Sequence, residues 1–260
     1  MRDIAPSMQI LVEGGNEMLR AVRRAAEDAA RLQLRDVELL APFPRPSKNI
    51  FCLGLNYKEH VAEGRWSESL PTLPVWFTKA VTAVCGPYDD IRVDPRLSEQ
   101  YDWEVELAVV IGREGRRIPK ERALEHVFGY TAFNDFTVRD VQNRHGGQWF
   151  KGKSLDHASP MGPWIVTADE LGDPQQIEVM CRVNGVEKQH SNTRMMIFDI
   201  ATAIADLSEV VTLEPGDIIA TGTPSGVGYA RKPQEFLKPG DVLETEVERI
   251  GGLRNRIVGE

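Results

Sequence analysis

Apolar residues recur along this chain with two periods, one typical of strands and the other of helices. The densest apolar run lies between Tyr101 and Gly112 and is rich in valine and isoleucine, so it predicts a strand. Alternate side chains of a strand share a face, which puts Glu104 and Glu106 on one side and the apolar residues that alternate with them on the other. Beyond the glutamates both faces are apolar, so we expect this strand to be central and buried.

The two glutamates would lie at the mouth of that buried strand. Carboxylates placed there repel each other and lose hydration, so they stay charged only with a cation between them; otherwise one binds a proton. Because buried carboxylates are rare, a water-exposed strand end is the plainer interpretation of Glu104 and Glu106 alone. A second predicted strand, 127–133, ends at Asp135, a third carboxylate that can converge on the first two. Three carboxylates are what a hard, oxygen-preferring cation needs.

The rest of the chain predicts a mixture of strands and helices around this centre. A proline-rich linker, 41–48, separates an N-terminal helical segment, residues 1–45, from a main domain, residues 46–260. An Asn184-Gly185 turn predicts a hairpin. The other predicted strands are 49–54, 75–79, 164–167, 177–183, 218–221 and 242–247, and the predicted helices are 17–34, 119–128 and 197–210.

Composition narrows the class of protein. The chain has 260 residues and a net charge of -8, which argues against general binding to nucleic acid or to an anionic membrane. No apolar run is long enough to span a bilayer, and the N-terminus lacks the pattern of a signal peptide. The three cysteines are far apart without zinc-site spacing, which favours reduced thiols in a cytoplasmic protein.

Two further segments carry candidate chemistry. On a helix, His60 and Glu63 share a face, so the carboxylate can hold the imidazole in one tautomer and make it a better base; a surface contact is the plainer alternative. The polar segment that follows, 64–74, is a candidate lid. The glycine-rich loop 222–228 can direct backbone N–H groups, Thr223 and Ser225 at an anion, or it is only a tight turn.

Residues 147–154 match the phosphate-loop pattern G-x-x-x-x-G-K-S letter for letter. That loop must follow an apolar strand and open a helix. Here a polar stretch precedes it, and the prolines at 160 and 163 prevent a following helix. The context therefore argues against a nucleotide site, and it leaves Lys153 as a cation that can face the carboxylates.

Five stretches together are more specific than any one of them. They are GLNY at 54–57 with His60 and Glu63, WEVEL at 103–107, NDFTVRDVQ at 134–142, KGKSLD at 151–156 and TGTPSGVG at 221–228. In this order and at this spacing the chain resembles the fumarylacetoacetate hydrolase family over residues 46–260.

The resemblance implies a fold, a metal ion and a set of site residues. The fold would be α+β and β-rich, with a mixed β-sheet rolled into a barrel-like core, peripheral helices and a homodimeric assembly. A magnesium or manganese ion would be held by three carboxylates, Glu104, Glu106 and Asp135. Lys153 would stand beside the metal ion. His60 and Glu63 would form the general-base dyad, on a helix that orders when substrate binds. The substrate's oxygens would be held by Arg139, Gln142 and Thr223.

These residues predict a metal-dependent enzyme that acts on small 2-oxo acids through a metal-bound enolate. The His60–Glu63 dyad favours activation of water, hence hydrolysis of a C–C bond in an acylpyruvate or fumarylpyruvate. The alternatives are isomerisation of 2-hydroxyhepta-2,4-diene-1,7-dioate and decarboxylation or hydration of a related acid. A nucleotide-binding protein, or a protein without an active site, is the remaining alternative.

Overall fold

The computed structural model describes residues 7–27, 29–64 and 69–260. The α-helices are α1 (Met8–Glu13), α2 (Gly15–Glu27), α3 (Lys58–Glu63), α4 (Arg139–Asn143), α5 (Phe150–Lys153), α6 (Ala168–Leu171) and α7 (Ile200–Val210). The strands are β1 (Ile50–Gly54), β2 (Val75–Lys79), β3 (Val84–Cys85), β4 (Ile91–Val93), β5 (Tyr101–Asp102), β6 (Val105–Ile111), β7 (Val127–Asn134), β8 (Thr137–Val138), β9 (Ser159–Thr167), β10 (Glu178–Val183), β11 (Val186–Asn192), β12 (Ile218–Ala220), β13 (Val242–Val247) and β14 (Gly251–Gly259). Short 3-10 helices cover Leu34–Asp36, Val81–Ala83, Lys120–His126, Thr193–Met195 and Gly228–Ala230.

Two large sheets form the framework. The first has seven strands in the order β2-β1-β12-β6-β7-β9-β3 and curls into a half-barrel. The second has five strands in the order β11-β10-β13-β14-β4. The predicted hairpin is confirmed: β10 and β11 pair across Asn184 and Gly185, whose φ values of 53° and 75° suit a tight two-residue turn. The fold is therefore α+β and β-rich, as predicted.

Strand β6 is central in the first sheet, as its apolar run predicts. It pairs antiparallel with β12 on one side and with β7 on the other. Val105, Leu107 and Val109 pack into one apolar core, whereas Ala108 and Val110 pack into a second core on the opposite face. Both faces of β6 are therefore packed with apolar residues, and its charged side chains lie at its beginning, where Glu104 precedes the strand and Glu106 is its second residue.

The second core also includes residues from before the main domain. Val12 of α1, with Ala41 and Phe43 of the proline-rich linker, packs in the same cluster as Ile50 of β1. The described part of residues 7–45 therefore lies against the main domain, and the predicted boundary at residue 45 stays a prediction.

Several element boundaries differ from the prediction. The predicted helix 17–34 ends at Glu27 in α2, and Leu32 and Leu34 beyond it are exposed, so burial does not stabilise a longer helix. The predicted helix 119–128 is a 3-10 helix, Lys120–His126. The predicted strand 101–112 is interrupted before β6, where the side chain of Asp102 accepts a hydrogen bond from the N–H of Trp103.

Two expectations concern segments rather than strands. Among the described residues, no helix has the length and apolar character needed to cross a membrane. The candidate lid, 64–74, contains residues 65–68, which lie outside the described part of the chain.

Candidate active site

Three buried carboxylates meet where β6 begins and β7 ends. Antiparallel pairing sets Val105 opposite Asn134, and the N–H of Asp135 donates to the carbonyl oxygen of Glu104 at 2.9 Å. This register brings Asp135 beside the two glutamates. One oxygen from each of Glu104, Glu106 and Asp135 lies within 4.8 Å of the others. The alternative of a water-exposed strand end is therefore wrong, since all three residues are at most 4% exposed.

Three cations neutralise two of these carboxylates. The ammonium group of Lys153 donates to Glu104 Oε2 and to Asp135 Oδ2, both at 2.7 Å. Arg139 Nη2 lies 2.6 Å from Glu104 Oε1, and Lys79 Nζ lies 2.6 Å from Asp135 Oδ1. Burial alone would raise the pKa of Glu104, but the charges of Lys153 and Arg139 outweigh burial and lower its pKa to about 2.

Glu106 is the exception. Its Oε2 accepts a hydrogen bond from the N–H of Gly222 at 2.8 Å, and no ammonium or guanidinium group among the described residues lies within ion-pair distance of it. Burial and the neighbouring charges of Asp135 and Glu104 raise the pKa of Glu106 well above its usual value. Of the three carboxylates, Glu106 is thus the one without an ion-pair partner among the described residues.

This donor set fits a divalent metal ion. Three carboxylates that converge on one point are the oxygen-rich set that magnesium and manganese prefer. A cation held by Glu104, Glu106 and Asp135 would also offset the repulsion that raises the pKa of Glu106.

His60 and Glu63 are brought together on α3, as their spacing predicts. His60 Nδ1 lies 2.9 Å from Glu63 Oε1, and His60 is 5% exposed. A carboxylate at Nδ1 selects the tautomer with the proton on that nitrogen, which leaves Nε2 as the basic nitrogen. The other oxygen of Glu63 accepts from the N–H of Gly226 at 2.7 Å, so the glycine-rich loop holds the dyad in place.

Arg139 and Gln142 lie side by side on α4 and are both buried. Arg139 Nε donates to Asp102 Oδ2 at 2.7 Å, and its Nη1 donates to Gln142 Oε1 at 3.2 Å. Burial alone would lower the pKa of Arg139, but the carboxylates of Asp102 and Glu104 outweigh burial and raise it above its usual value. Asp102 also accepts from the N–H groups of Gly228 and Tyr229, at 2.7 and 3.0 Å, so it joins Arg139 to the end of the glycine-rich loop.

The hydroxyl of Thr223 is already bonded within the protein. It donates to the carbonyl oxygen of Val105 at 2.9 Å and accepts from Gln189 Nε2 at 2.8 Å. In this conformation it can accept a hydrogen bond from a substrate, but its own hydrogen is already donated.

Eight of the nine predicted site residues line one cavity of about 20 Å³, and Glu63 stands behind His60. The remaining wall is largely apolar and comes from Leu53, Gly54, Leu55, Phe77 and Trp149. Trp149 packs on Gly54, where a side chain would overlap its ring, and it meets Phe77 edge to face at 5.3 Å between ring centroids.

Sequence reasoning missed several of these groups. Lys79, Asp102 and Trp149 were not predicted to belong to the site. A signal existed for Lys79, since a lysine that ends the apolar strand β2 needs an anionic partner once it is buried. Trp149 lies inside the phosphate-loop match, where Lys153 is instead bonded to two carboxylates.

Comparison with known proteins agrees with this geometry. Residues 49–258 match the family model described as fumarylacetoacetate (FAA) hydrolase C-terminal. The chain belongs to the fumarylacetoacetate hydrolase family. Within that family it is 44% identical over 254 residues to oxaloacetate tautomerase FAHD2A, mitochondrial, from Bos taurus, a match covering 97% of this chain and 80% of that protein. It is 48% identical over 224 residues to oxaloacetate tautomerase YisK from Bacillus subtilis, covering 86% and 74% of the two chains.

Solved structures of the family share the fold. A fumarylacetoacetate hydrolase from Exiguobacterium antarcticum superposes with a TM-score of 0.87 at 42% identity, covering 98% of this chain and 89% of that one. A 2-hydroxyhepta-2,4-diene-1,7-dioate isomerase from Mycobacterium marinum gives 0.76 at 37% identity, covering 90% and 82%. Maleylpyruvate hydrolase from Sphingobium sp. SYK-6, in complex with manganese(II) and pyruvate, gives 0.80 at 32% identity, covering 97% and 85%. The family therefore includes tautomerases, isomerases and hydrolases.

Proposed function

We propose that this chain is a divalent-metal-dependent tautomerase that interconverts the keto and enol forms of oxaloacetate or a closely similar 2-oxo diacid. The observation that carries the proposal is the geometry of the cavity, in which the oriented base His60 faces the same small space as Lys153 and the three carboxylates. Two relatives named oxaloacetate tautomerase, at 44% and 48% identity, support the choice of substrate.

Tautomerisation moves one proton between the carbon next to a ketone and the ketone oxygen. His60 accepts the proton at Nε2, and Glu63 holds the Nδ1 proton and stabilises the imidazolium that forms. Such general-base assistance accelerates proton transfer by about 10²–10⁴-fold. His60 then returns the proton to the oxygen, so no group is consumed.

The developing negative charge on the substrate oxygen needs a positive partner. A metal ion held by Glu104, Glu106 and Asp135 would supply Lewis-acid stabilisation of that charge. Lys153, bonded to Glu104 and Asp135, adds a fixed positive charge beside the same site. Gln142 lines the same cavity and can orient the substrate through its side-chain amide.

Hydrolysis of a C–C bond in an acylpyruvate is the second candidate. It is favoured by the same dyad, since a base held by a carboxylate can also deprotonate water. His60 would deprotonate the carbon next to the ketone in the tautomerase reaction and a water molecule in the hydrolase reaction.

The test follows both reactions in parallel. Relaxation of the enol of oxaloacetate is followed by its ultraviolet absorbance, and acetylpyruvate is followed by proton NMR, each with magnesium or manganese and then with chelator. Acceleration above the metal-only background that is lost with chelator and in His60→Gln supports the tautomerase. Acetate plus pyruvate from acetylpyruvate, without faster enol relaxation, supports the hydrolase instead. If neither reaction exceeds the background, both proposals fail. The homodimer and the cytoplasmic location stay predictions.

A further inference from the structure

One buried side chain of the second sheet contacts both the start of β6, which carries the carboxylates, and the glycine-rich loop 222–228. Gln189 lies on β11 and is 1% exposed. Its Oε1 accepts from the N–H of Val105 at 2.9 Å, and its Nε2 donates to Thr223 Oγ1 and to the carbonyl oxygen of Pro224, both at 2.8 Å. Val105 stands between Glu104 and Glu106, whereas Thr223 and Pro224 belong to the glycine-rich loop.

The orientation of this amide is determined by its partners. The N–H of Val105 can only donate and the carbonyl of Pro224 can only accept, so a flipped carboxamide would face both with the wrong group. Thr223 donates its own hydrogen to the carbonyl of Val105, so its oxygen accepts from Gln189. All three bonds therefore require an uncharged amide of this length.

Gln189 takes the place of a missing strand residue. Strand β12 pairs with β6 as far as Ala220 opposite Ala108, and Thr221 still donates its N–H to the carbonyl of Leu107 at 3.2 Å. The chain then turns away at Gly222, whose φ of 95° favours glycine. Beyond this turn, β12 no longer pairs with Val105. The hydroxyl of Thr223 donates to the carbonyl of Val105 instead, and the amide of Gln189 accepts from its N–H.

A bulge in β11 gives Gln189 its position. Gln189 pairs with Cys181 but Glu187 pairs with Arg182, so Lys188 is an extra residue in the hairpin. Such bulges redirect side chains next to active sites. The bulge also supports the dyad: Gly226 packs directly on the carbonyl of Lys188, where a side chain would overlap it, and its N–H binds Glu63.

We propose that Gln189 is a positioning residue of this active site. Its amide fixes the peptide that carries Glu104 and Glu106 against the glycine-rich loop, and it thereby sets the affinity of the carboxylates for a divalent metal ion. The inference rests on the proposed metal-dependent function, but it concerns metal affinity and can be measured without substrate.

The experiment measures Mn²⁺ affinity by electron paramagnetic resonance, in which free Mn²⁺ gives the signal that disappears on binding. The metal-free wild type is compared with Gln189→Leu and Gln189→Glu. The matched control is Asn255→Leu on β14 of the same sheet: Asn255 is fully buried and donates to the carbonyls of Gly86 and Asp89, at 3.2 and 2.8 Å, which do not line the cavity. Both leucine variants lose a buried amide, so both should lower the melting temperature by several degrees.

Only the Gln189 variants should weaken Mn²⁺ binding, by about 10-fold, the lower end for groups that support metal ligands. Their kcat for oxaloacetate should fall with it, while the control keeps the wild-type value. Mn²⁺ affinity that is unchanged in folded Gln189→Leu, or equally weakened in Asn255→Leu, overturns the proposal, as does a wild type that binds no Mn²⁺.

A milder variant tests the same role in case Gln189→Leu does not fold. Gln189→Asn keeps the amide but shortens its reach by one methylene group, so the bond to Val105 should be lost while the site stays polar. Hydrogen exchange at the Val105 amide should then become faster than in the wild type, and unchanged exchange would overturn the positioning role. If the wild type binds Mn²⁺ but does not tautomerise oxaloacetate, the proposed function fails and the result for Gln189 stands.

Discussion

Glu104 and Glu106 should respond in opposite ways to the same substitution by glutamine. They are two residues apart at the same strand end, and both are buried. Glu104 contacts Lys153 and Arg139, whereas Glu106 accepts a hydrogen bond from the N–H of Gly222, forms no ion pair among the described residues, and has its pKa raised well above the usual value. Without metal, burial and the neighbouring carboxylates therefore favour the protonated form of Glu106, which is neutral like the amide of glutamine.

The sizes of the two effects follow from these contacts. Removing one partner of a buried ion pair costs about 3–5 kcal/mol, and the glutamine at 104 can still accept one bond, so we expect a loss of about 3 kcal/mol. Glu106→Gln removes no ion pair, and it replaces a group whose charged form is disfavoured by burial and by Asp135 and Glu104, so its effect on stability should be nil or favourable.

The assay is thermal unfolding of metal-free protein at pH 7. At about 2–4 °C per kcal/mol for a domain of this size, Glu104→Gln should lower the melting temperature by roughly 6–12 °C. Glu106→Gln should keep or raise it, although it should abolish the stabilisation that Mn²⁺ gives the wild type. A Glu106→Gln variant that is destabilised as much as Glu104→Gln would refute the reasoning, because Glu106 would then be charged and paired without metal.

Three further predictions follow from the same contacts. Because the pKa of Glu106 is raised in the metal-free folded protein, the contribution of Glu106 to stability falls as pH rises above about 4.5. The pKa of Glu104 is lowered to about 2, so its contribution to stability is lost as pH falls from 4.5 towards 2. Saturating Mn²⁺ should flatten the decline on the alkaline side in melting curves, and an unchanged decline would contradict this. Lys79→Met removes the fully buried partner of Asp135 and should lower the melting temperature by roughly 6 °C or more; a wild-type melting temperature would contradict it. Gly226→Ala places a side chain against the carbonyl of Lys188 at a φ of 104°. It should lower kcat by at least about 10-fold while sparing Mn²⁺ binding, and an unchanged kcat would show that the loop does not position the His60–Glu63 dyad.

Local pattern was enough to predict the centre of the site. Alternation along the apolar run put Glu104 and Glu106 on one face, and the end of a second strand placed Asp135 near them. The spacing of His60 and Glu63 predicted their contact on α3, which is 2.9 Å in the structure. In each case the residues are neighbours in sequence or lie on adjacent strands, where the geometry of helices and strands fixes distances.

The supporting residues could not be predicted in this way. Lys79 is 56 residues from Asp135, and Gln189 is 84 residues from the Val105 amide that it binds. Gln189 lies in a polar stretch that reads as exposed strand, and a one-residue bulge, which periodicity does not show, turns it inward. The predicted helix 17–34 is too long for a different reason: Leu32 and Leu34 are exposed, so burial does not stabilise its C-terminal part as a helix.

The charges around the cavity explain why an acidic cluster can serve an acidic substrate. Four buried carboxylates, Asp102, Glu104, Glu106 and Asp135, face three buried cations, Lys79, Arg139 and Lys153, so the fully ionised cluster carries a net charge of -1. That charge would repel a 2-oxo diacid, and burial makes the repulsion costly. A divalent cation changes the sum to +1, which attracts an anion. In the proposed function the fixed cations hold two carboxylates in place, and the unpaired charge of Glu106 makes the site attractive first to the metal ion and then to the substrate.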